Sequence, residues 1–365
     1  MIRVGRRFSS FAGPAAAVIL STAAATAQPA PSVAPTAVLP TTVGWDHDGE
    51  ADLSGLACGP ERGGERGCVI VDDEQRRLRF VTFADGRFEL GPEMAVLDRE
   101  TTDPVTGVTT VNKEADLEAV SRDGDVYWAF GSHGTKRKPT VGQTTCPLQP
   151  DRRHIYRFAV DPQTDLPSFA FDRKVAAPEI RRIDRLPAVL AQLPELTSII
   201  DAPICGDHGG FTIEGGAVSG GRMMLGVRAP LFGDGAEALI VEIDAEGLAD
   251  GVPVVPIAHH LALGKGMGVR DLAAVKGGHL ILAGPSGSDD PPATANPTPR
   301  EKSTIWFWPT GTKSATPVAV LEGVPGDGKP EALAVLDGDD TGWRVLVLCD
   351  GVVGGAPAEY RLSRP

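Results

Sequence analysis

The sequence predicts an all-β fold made from one sheet unit used five times around a ring. Three observations carry this expectation. Forty-four glycines and 31 prolines punctuate many short apolar runs, the pattern of strands joined by tight turns. A polar or acidic residue opening an apolar strand recurs as DLSGLAC, DLEAVS, TIEGGAV, VRDLAAV and KPEALAV, at Ser54, Glu118, Glu214, Asp271 and Glu331. The recurrence has a period of roughly 60 residues with room for about four strands per unit, the signature of a β-propeller.

The chain opens with Arg3, Arg6 and Arg7 before an Ala-rich apolar run, followed by the small residues Ala25-Thr26-Ala27. This order of basic, apolar and small residues predicts a secretory signal over residues 1–27, cleaved before Gln28. The run is too short to span a bilayer and is interrupted by Pro14, which argues against a membrane anchor. Residues 28–35 form a Pro/Ala-rich linker, expected to be extended or disordered. The propeller is assigned to residues 36–365, and the protein is expected to be periplasmic or secreted and monomeric. A formal charge of −13 becomes more negative without the three arginines. Such a surface argues against nucleic acid or an anionic membrane as partner.

Each unit continues from its opening strand into a stronger apolar one: CVIVDD, VYWAFGSH, RMMLGVRAP, HLILAGPSG and RVLVLCDG. Third strands follow in LRFVTFA, RHIYRFAV, EALIVEID, STIWFWP and AEYRL. Weaker fourth strands are read in FELGPEMAVL, SFAFDRKV, VPVVPIAHHLAL and TPVAVLEG. The fifth unit runs out of chain after its third strand. The segment Thr36 to Trp45 has the character to supply the missing one and close the ring, which removes free sheet edges. The interval between Glu118 and Glu214 is oversized and leaves room for a sixth, irregular blade around Ala176 to Gly210. Within it, Leu186, Val189, Leu190 and Leu193 stand at helical spacing, so a helical insertion near residues 180–196 is the preferred reading.

Five cysteines are present. Cys58 and Cys68 flank the first turn of the first unit, which predicts a local bridge. Cys146 lies in a long loop between second and third strands, and Cys205 in the loop entering the third unit. Propeller geometry puts both loops on one face, so Cys146–Cys205 is the second expected bridge, with Cys349 a buried free thiol.

The face with the inner-strand entries is the expected functional face. It collects Glu118, Glu214, Asp271 and Glu331 around the central channel, with Asp116 beside Glu118. Arg270 and Lys329 stand at the same entries, and the second-strand tips bring His133, Arg228 and Asp350. The loop after His133 adds Lys136 and Arg137. Carboxylates mixed with guanidinium, ammonium and imidazole suit a polar or anionic small ligand or a peptide. The carboxylates also have an architectural alternative, bonding to backbone or to a basic residue of the next blade, since repeated units stack through repeated contacts. Asp46-His47-Asp48-Gly49 resembles the start of a calcium loop without its full ligand spacing. No metal ligand set is assigned and no cofactor is expected, with Ca²⁺ as the alternative. The Pro-rich stretch from Ser288 to Glu301 is read as a long loop on the same face.

The pieces DLEAVSRDGDVYWAFGSHGTKRK, IEGGAVSGGRMMLGVRAPL, VRDLAAVKGGHLILAGPSG and KPEALAVLD, with VLVLCDG and AEYRL, together resemble a family of bacterial secreted propellers known only as a domain of unknown function. The resemblance runs from about Asp52 to Arg361 and implies an exported propeller with no established activity. A more distant similarity is to phytase-like and esterase-like propellers, whose strand entries also carry E-G or E-A pairs. It implies a second functional class, a Ca²⁺-assisted phosphoesterase or other hydrolase with Arg228 or Lys136 holding phosphate. The first reading remains an exported propeller that binds a polar or charged ligand in its funnel.

Overall fold

A computed structural model describes residues 30–40, 52–102, 104–140, 143–206, 209–287, 302–326 and 328–365. The signal expected over residues 1–27, the stretch Asp46-His47-Asp48-Gly49 and the loop from Ser288 to Glu301 lie outside the described residues.

Two short strands, β1 (Ser32–Val33) and β2 (Ala37–Val38), precede five antiparallel meanders. The first blade is β3 (Leu53–Cys58), β4 (Glu65–Asp72), β5 (Arg77–Ala84) and β6 (Arg87–Ala95), followed by a small hairpin of β7 (Glu100–Thr102) and β8 (Thr109–Val111). The second is β9 (Leu117–Asp123), β10 (Val126–Gly131), β13 (Ile155–Ala159) and β14 (Arg181–Ile183). Its long loop carries the hairpin β11 (Lys138–Thr140) and β12 (Gln143–Thr145). The third is β15 (Thr212–Ser219), β16 (Arg222–Ala229), β17 (Ala238–Asp244) and β18 (Ile257–Leu261). The fourth is β19 (Met267–Val275), β20 (Gly278–Pro285), β21 (Thr304–Pro309) and β22 (Thr316–Leu321). The fifth is β23 (Lys329–Gly338), β24 (Gly342–Asp350) and β25 (Ala358–Ser363).

The fourth strand of the last blade is β2, which pairs antiparallel with β25 at Ala37↔Glu359 and Val38↔Ala358. The N-terminal segment therefore closes the ring, as the unfinished fifth unit requires. Part of the expected linker is also structured: β1 runs parallel to β22, with Ser32 opposite Val320 and Val33 opposite Leu321. Innermost strands touch their neighbours all the way round, and β23 meets β3 across the seam.

Why these residues make strands follows from what lies on either side of each blade. Five hydrophobic clusters fill the five spaces between successive blades. Val69 and Phe80 meet Tyr127 and Phe158 between the first two blades, and Leu282 and Phe307 meet Trp343 and Val345 between the last two. Both faces of a blade are thus buried, which is why its second strand reads as a near-continuous apolar run (VIV, LIL, VLVL) and not an alternating one. Near the axis the strands converge and side chains must shrink. A Cβ on Gly216 would lie 2.5 Å from the Phe130 ring, and one on Gly55 would lie 2.7 Å from Val71. Close packing, not turn formation, sets glycine beside the acidic entries.

Two readings change. The outer strand of the second blade is Arg181–Ile183, not the segment SFAFDRKV. There Asp172 Oδ1 accepts from the amides of Lys174 (2.6 Å) and Val175 (2.9 Å), a local turn that competes with a ladder. Phe169 and Phe171 instead cap the cluster between the first two blades, Phe171 lying 5.6 Å from Phe80 between ring centroids. Among the described residues the oversized interval holds no sixth blade. A short helix, α1 (Leu186–Leu190), buries Leu186, Val189 and Leu190 in the cluster between blades two and three.

Both expected disulfides are present, Cys58–Cys68 between β3 and β4 and Cys146–Cys205 between the loops named above. Cys349 is free and buried. Among the described residues no helix is long and apolar enough to cross a membrane.

The closing segment is held by packing as well as pairing. Leu39 is 6% exposed within the cluster that joins blade five to blade one. Leu39→Ala should cost about 2–4 kcal/mol, read as a lower urea midpoint with an unchanged m-value. An unchanged midpoint would mean that the seam does not depend on this segment.

Candidate functional site

A cavity of about 480 Å³ opens at the mouth of the central channel, on the face where the inner strands begin. Its first wall is acidic. Asp73 follows β4, while Asp116 and Glu118 stand at the start of β9, and one oxygen from each lies within 4.8 Å of the others. Asp116 is 4% exposed and holds a left-handed backbone, φ 51°, a conformation that aspartate tolerates better than most residues. Ser132 Oγ donates to its carboxylate, and Arg152 Nη1 sits 2.9 Å away. Burial nevertheless raises Asp116 to about 6, with Arg152 and Ser132 only partly offsetting it.

The other two carboxylates are less well served. Asp73 Oδ1 is sealed from solvent and has no hydrogen-bond partner. No donor among the described residues bonds Glu118. Burial pushes both well above the usual carboxylate range, and repulsion adds to it: Asp116 and Asp350 act on Asp73, and Asp116 and Glu214 on Glu118.

The second wall is basic and is assembled from several blades. Lys136 Nζ lies 2.6 Å from both oxygens of Glu114, and Arg152 reaches the same carboxylate. Arg137 is exposed on the rim. From blade three, Arg228 Nη1 approaches Glu214 Oε1 at 2.7 Å. From blade five, Lys329 pairs with Asp350 at 3.2 Å. The Cys146–Cys205 bridge is itself part of the lining, so it fastens the loop bearing Lys136 and Arg137 to the entry of blade three.

Beneath the cavity the expected residues form a buried network. Arg270, 3% exposed, sends Nη1 to Glu214 Oε2 at 3.0 Å and to Glu331, and Nη2 to the Pro285 carbonyl at 2.6 Å. Burial, partly countered by Arg270, raises Glu331 to about 8. Asp271 accepts from its neighbour Leu272 N (2.7 Å) and, across the blade boundary, from Leu333 N (2.7 Å). Burial pushes its carboxyl up while those backbone donors pull it down. Asp271 thus ties blade four to blade five.

His133 is 1% exposed and does not line the cavity. Its Nδ1 lies 2.8 Å from the Gly131 carbonyl, its Nε2 has no partner, and burial lowers it to about 3.

Of the expected residues, Glu118, Lys136, Arg137, Arg228 and Lys329 share the cavity wall. Glu214, Arg270, Asp271 and Glu331 lie below or behind it, and Asp350 stands beside Lys329. Sequence reasoning missed Asp73 and Arg152. Asp73 had a signal: it ends CVIVDD, the blade-one counterpart of the tips that carry His133, Arg228 and Asp350. Arg152 comes from a 3-10 turn, Pro150–Arg152, in a loop with no repeat counterpart.

Residues 69–363 match a family model described as "Protein of unknown function (DUF3616)". No curated protein matches the chain. Among solved structures, the α-L-arabinofuranosidase PaAbf62A from Podospora anserina is similar at 10% identity and a TM-score of 0.46, covering 92% of this chain and 98% of that one. The Bacillus subtilis arabinanase Arb43A is similar at 9% identity and 0.41, covering 87% and 94%. Likenesses at this level carry no argument about chemistry.

Two outcomes check the network. Arg270→Met should cost about 3–5 kcal/mol, because it strands two buried carboxylates; equilibrium denaturation reads it, and a loss under 1 kcal/mol would make the network dispensable. His133 binds a proton in the unfolded chain below its ordinary 6.5 but in the folded chain only near 3. Its contribution to stability is therefore complete above pH 6.5 and is lost as pH falls toward 3, by up to about 1.4 kcal/mol per pH unit. The stability gap between wild type and His133→Asn should shrink on acidification over that window; a pH-independent gap contradicts it.

Proposed function

The chain belongs to the DUF3616 family, whose function is unknown, and from that premise we propose that it is an exported propeller binding a polar, anionic small molecule at the mouth of its central channel. The observation that carries this reading is the convergence of Lys136, Arg137, Arg228 and Lys329, drawn from the long loop of blade two and from blades three and five, on one polar cavity of about 480 Å³. Lys136, Arg228 and Lys329 already lean on carboxylates, so these groups are oriented before a ligand arrives, which reduces the ordering cost of binding. The ligand's charge would be met by charge-assisted hydrogen bonds, stronger than neutral ones. Export is supported by the basic, apolar and small residues of the first 27 positions and by two disulfides, which persist in oxidising compartments. The protein is read as a monomer.

A second reading, Ca²⁺-assisted phosphoester hydrolysis, draws on one observation, the carboxylates of Asp73, Asp116 and Glu118 opposite that basic wall. Hydrolysis would need a metal to polarise the phosphoryl group and activate water. Release of phosphate from inositol hexakisphosphate or p-nitrophenyl phosphate in the presence of Ca²⁺ would favour it over simple binding.

Titration calorimetry with inorganic phosphate, citrate and inositol hexakisphosphate tests the binding reading. At least one should bind, with affinity falling as salt rises. Arg137→Ala combined with Lys136→Ala should weaken it about tenfold or more, the loss expected for charged hydrogen bonds. Absence of heat with all three anions would end the proposal.

A further inference from the structure

We propose that Asp73, Asp116 and Glu118 form a binding site for one divalent cation of the Ca²⁺ class on the acidic wall of the cavity. The inference deepens the ligand-cavity reading, on which it rests for its place in the molecule.

The argument begins with pairing. Glu114 is neutralised by Lys136 and Asp116 by Arg152. Among the described residues neither Asp73 nor Glu118 forms a direct ion pair, although Arg152 acts on Glu118 from a distance. When ionised, two such carboxylates beside a third concentrate negative charge, which a divalent ion would balance. Like charges brought this close raise each other's energy, and Arg152 and Ser132 relieve only part of it, mainly at Asp116.

The second observation is independent of charge. Asp73 Oδ1 is buried and no donor reaches it, although buried carboxylate oxygens are ordinarily bonded. Each of the three residues offers an oxygen within 4.8 Å of the other two, a spread compatible with oxygens arrayed around a single ion at the usual 2.3–2.6 Å. The neighbouring trio of Asp52, Asp72 and Asp73 is equally close, but Asp52 and Asp72 do not line the cavity, whereas Asp73, Asp116 and Glu118 all do. That leaves the cavity-facing trio as the better site.

Ligand chemistry selects the ion. The trio holds only oxygen donors and includes no histidine or cysteine, which disfavours Zn²⁺. Three carboxylates in a cavity with room for water suit Ca²⁺, which takes six to eight oxygens in adaptable geometry; Mg²⁺ demands near-ideal octahedral order. Water, or an anion held by the basic wall, would complete the shell. The ion would then link the two walls.

Calorimetry and thermal melting of the full chain, dialysed against EDTA and titrated with CaCl₂ without any anion, test the site. The expected result is one Ca²⁺ per chain and a higher Tm, since an ion bound only by the folded state stabilises it. Asp73→Asn should weaken Ca²⁺ about tenfold or more while its metal-free Tm stays equal or rises, because one repelling charge is gone. Glu118→Gln provides the same reading if Asp73→Asn does not fold. No response of wild type to CaCl₂, tighter binding of MgCl₂ than CaCl₂, or an undiminished affinity in the variants would overturn the site. Because no anion is present, these outcomes are separable from failure of the anion reading, which the Lys136 and Arg137 variants decide on their own.

Discussion

Ring closure is the constraint on which everything else in this molecule depends. Five sheets radiating from an axis leave the fifth one strand short, and the two residues of β2 supply it from the far end of the chain. Backbone amides and carbonyls along β25 find partners that would otherwise have to be water, and Leu39 plugs the seam. Only once the circle is complete do the five inner strands face one another. Only then do the charges at their entries share one space.

That shared space explains the division of labour among the repeated acidic residues. Near the axis there is too little room for each blade to hold its own solvated carboxylate. Glu214 and Glu331 are therefore drawn onto Arg270, and Asp271 caps the amide of Leu333 in the next blade. These contacts act as keystones, each spanning a blade boundary. A buried pair of this kind is weak as net stabilisation but expensive to break. The cavity above it is where the repeat is violated: Asp73 stands in a blade that opens with Ser54, and Arg152 and Lys136 come from a loop with no counterpart elsewhere.

Much of this was legible in the sequence because symmetry was. The five motifs pointed to five blades while leaving room for a sixth, the short last unit pointed to its partner, and the loop positions of Cys146 and Cys205 paired them correctly. What escaped detection is local and non-repeating. The Asp172 turn that displaces an outer strand is a side-chain effect within three residues, and an apolar run such as SFAF gives no sign of it. His133 looked like a strand-tip ligand by register, yet a left-handed φ of 58° turns it inward and buries its ring. Likewise, sequence put Arg270 among the residues lining the funnel; only the coordinates show three acceptors surrounding its guanidinium below the floor.

The way the N-terminal segment crosses the molecule carries a consequence for how it is made. β1 docks on blade four and β2 on blade five, so the seven residues from Ser32 to Val38 stitch together two blades whose other strands lie roughly 300 positions later in the chain. Such a topology has high contact order, and the stitch cannot form until nearly the whole polypeptide has been delivered. Blades one to three can collapse as they emerge, whereas the last step waits for both extremities to meet. Closure of the ring is thereby coupled to completion of the chain.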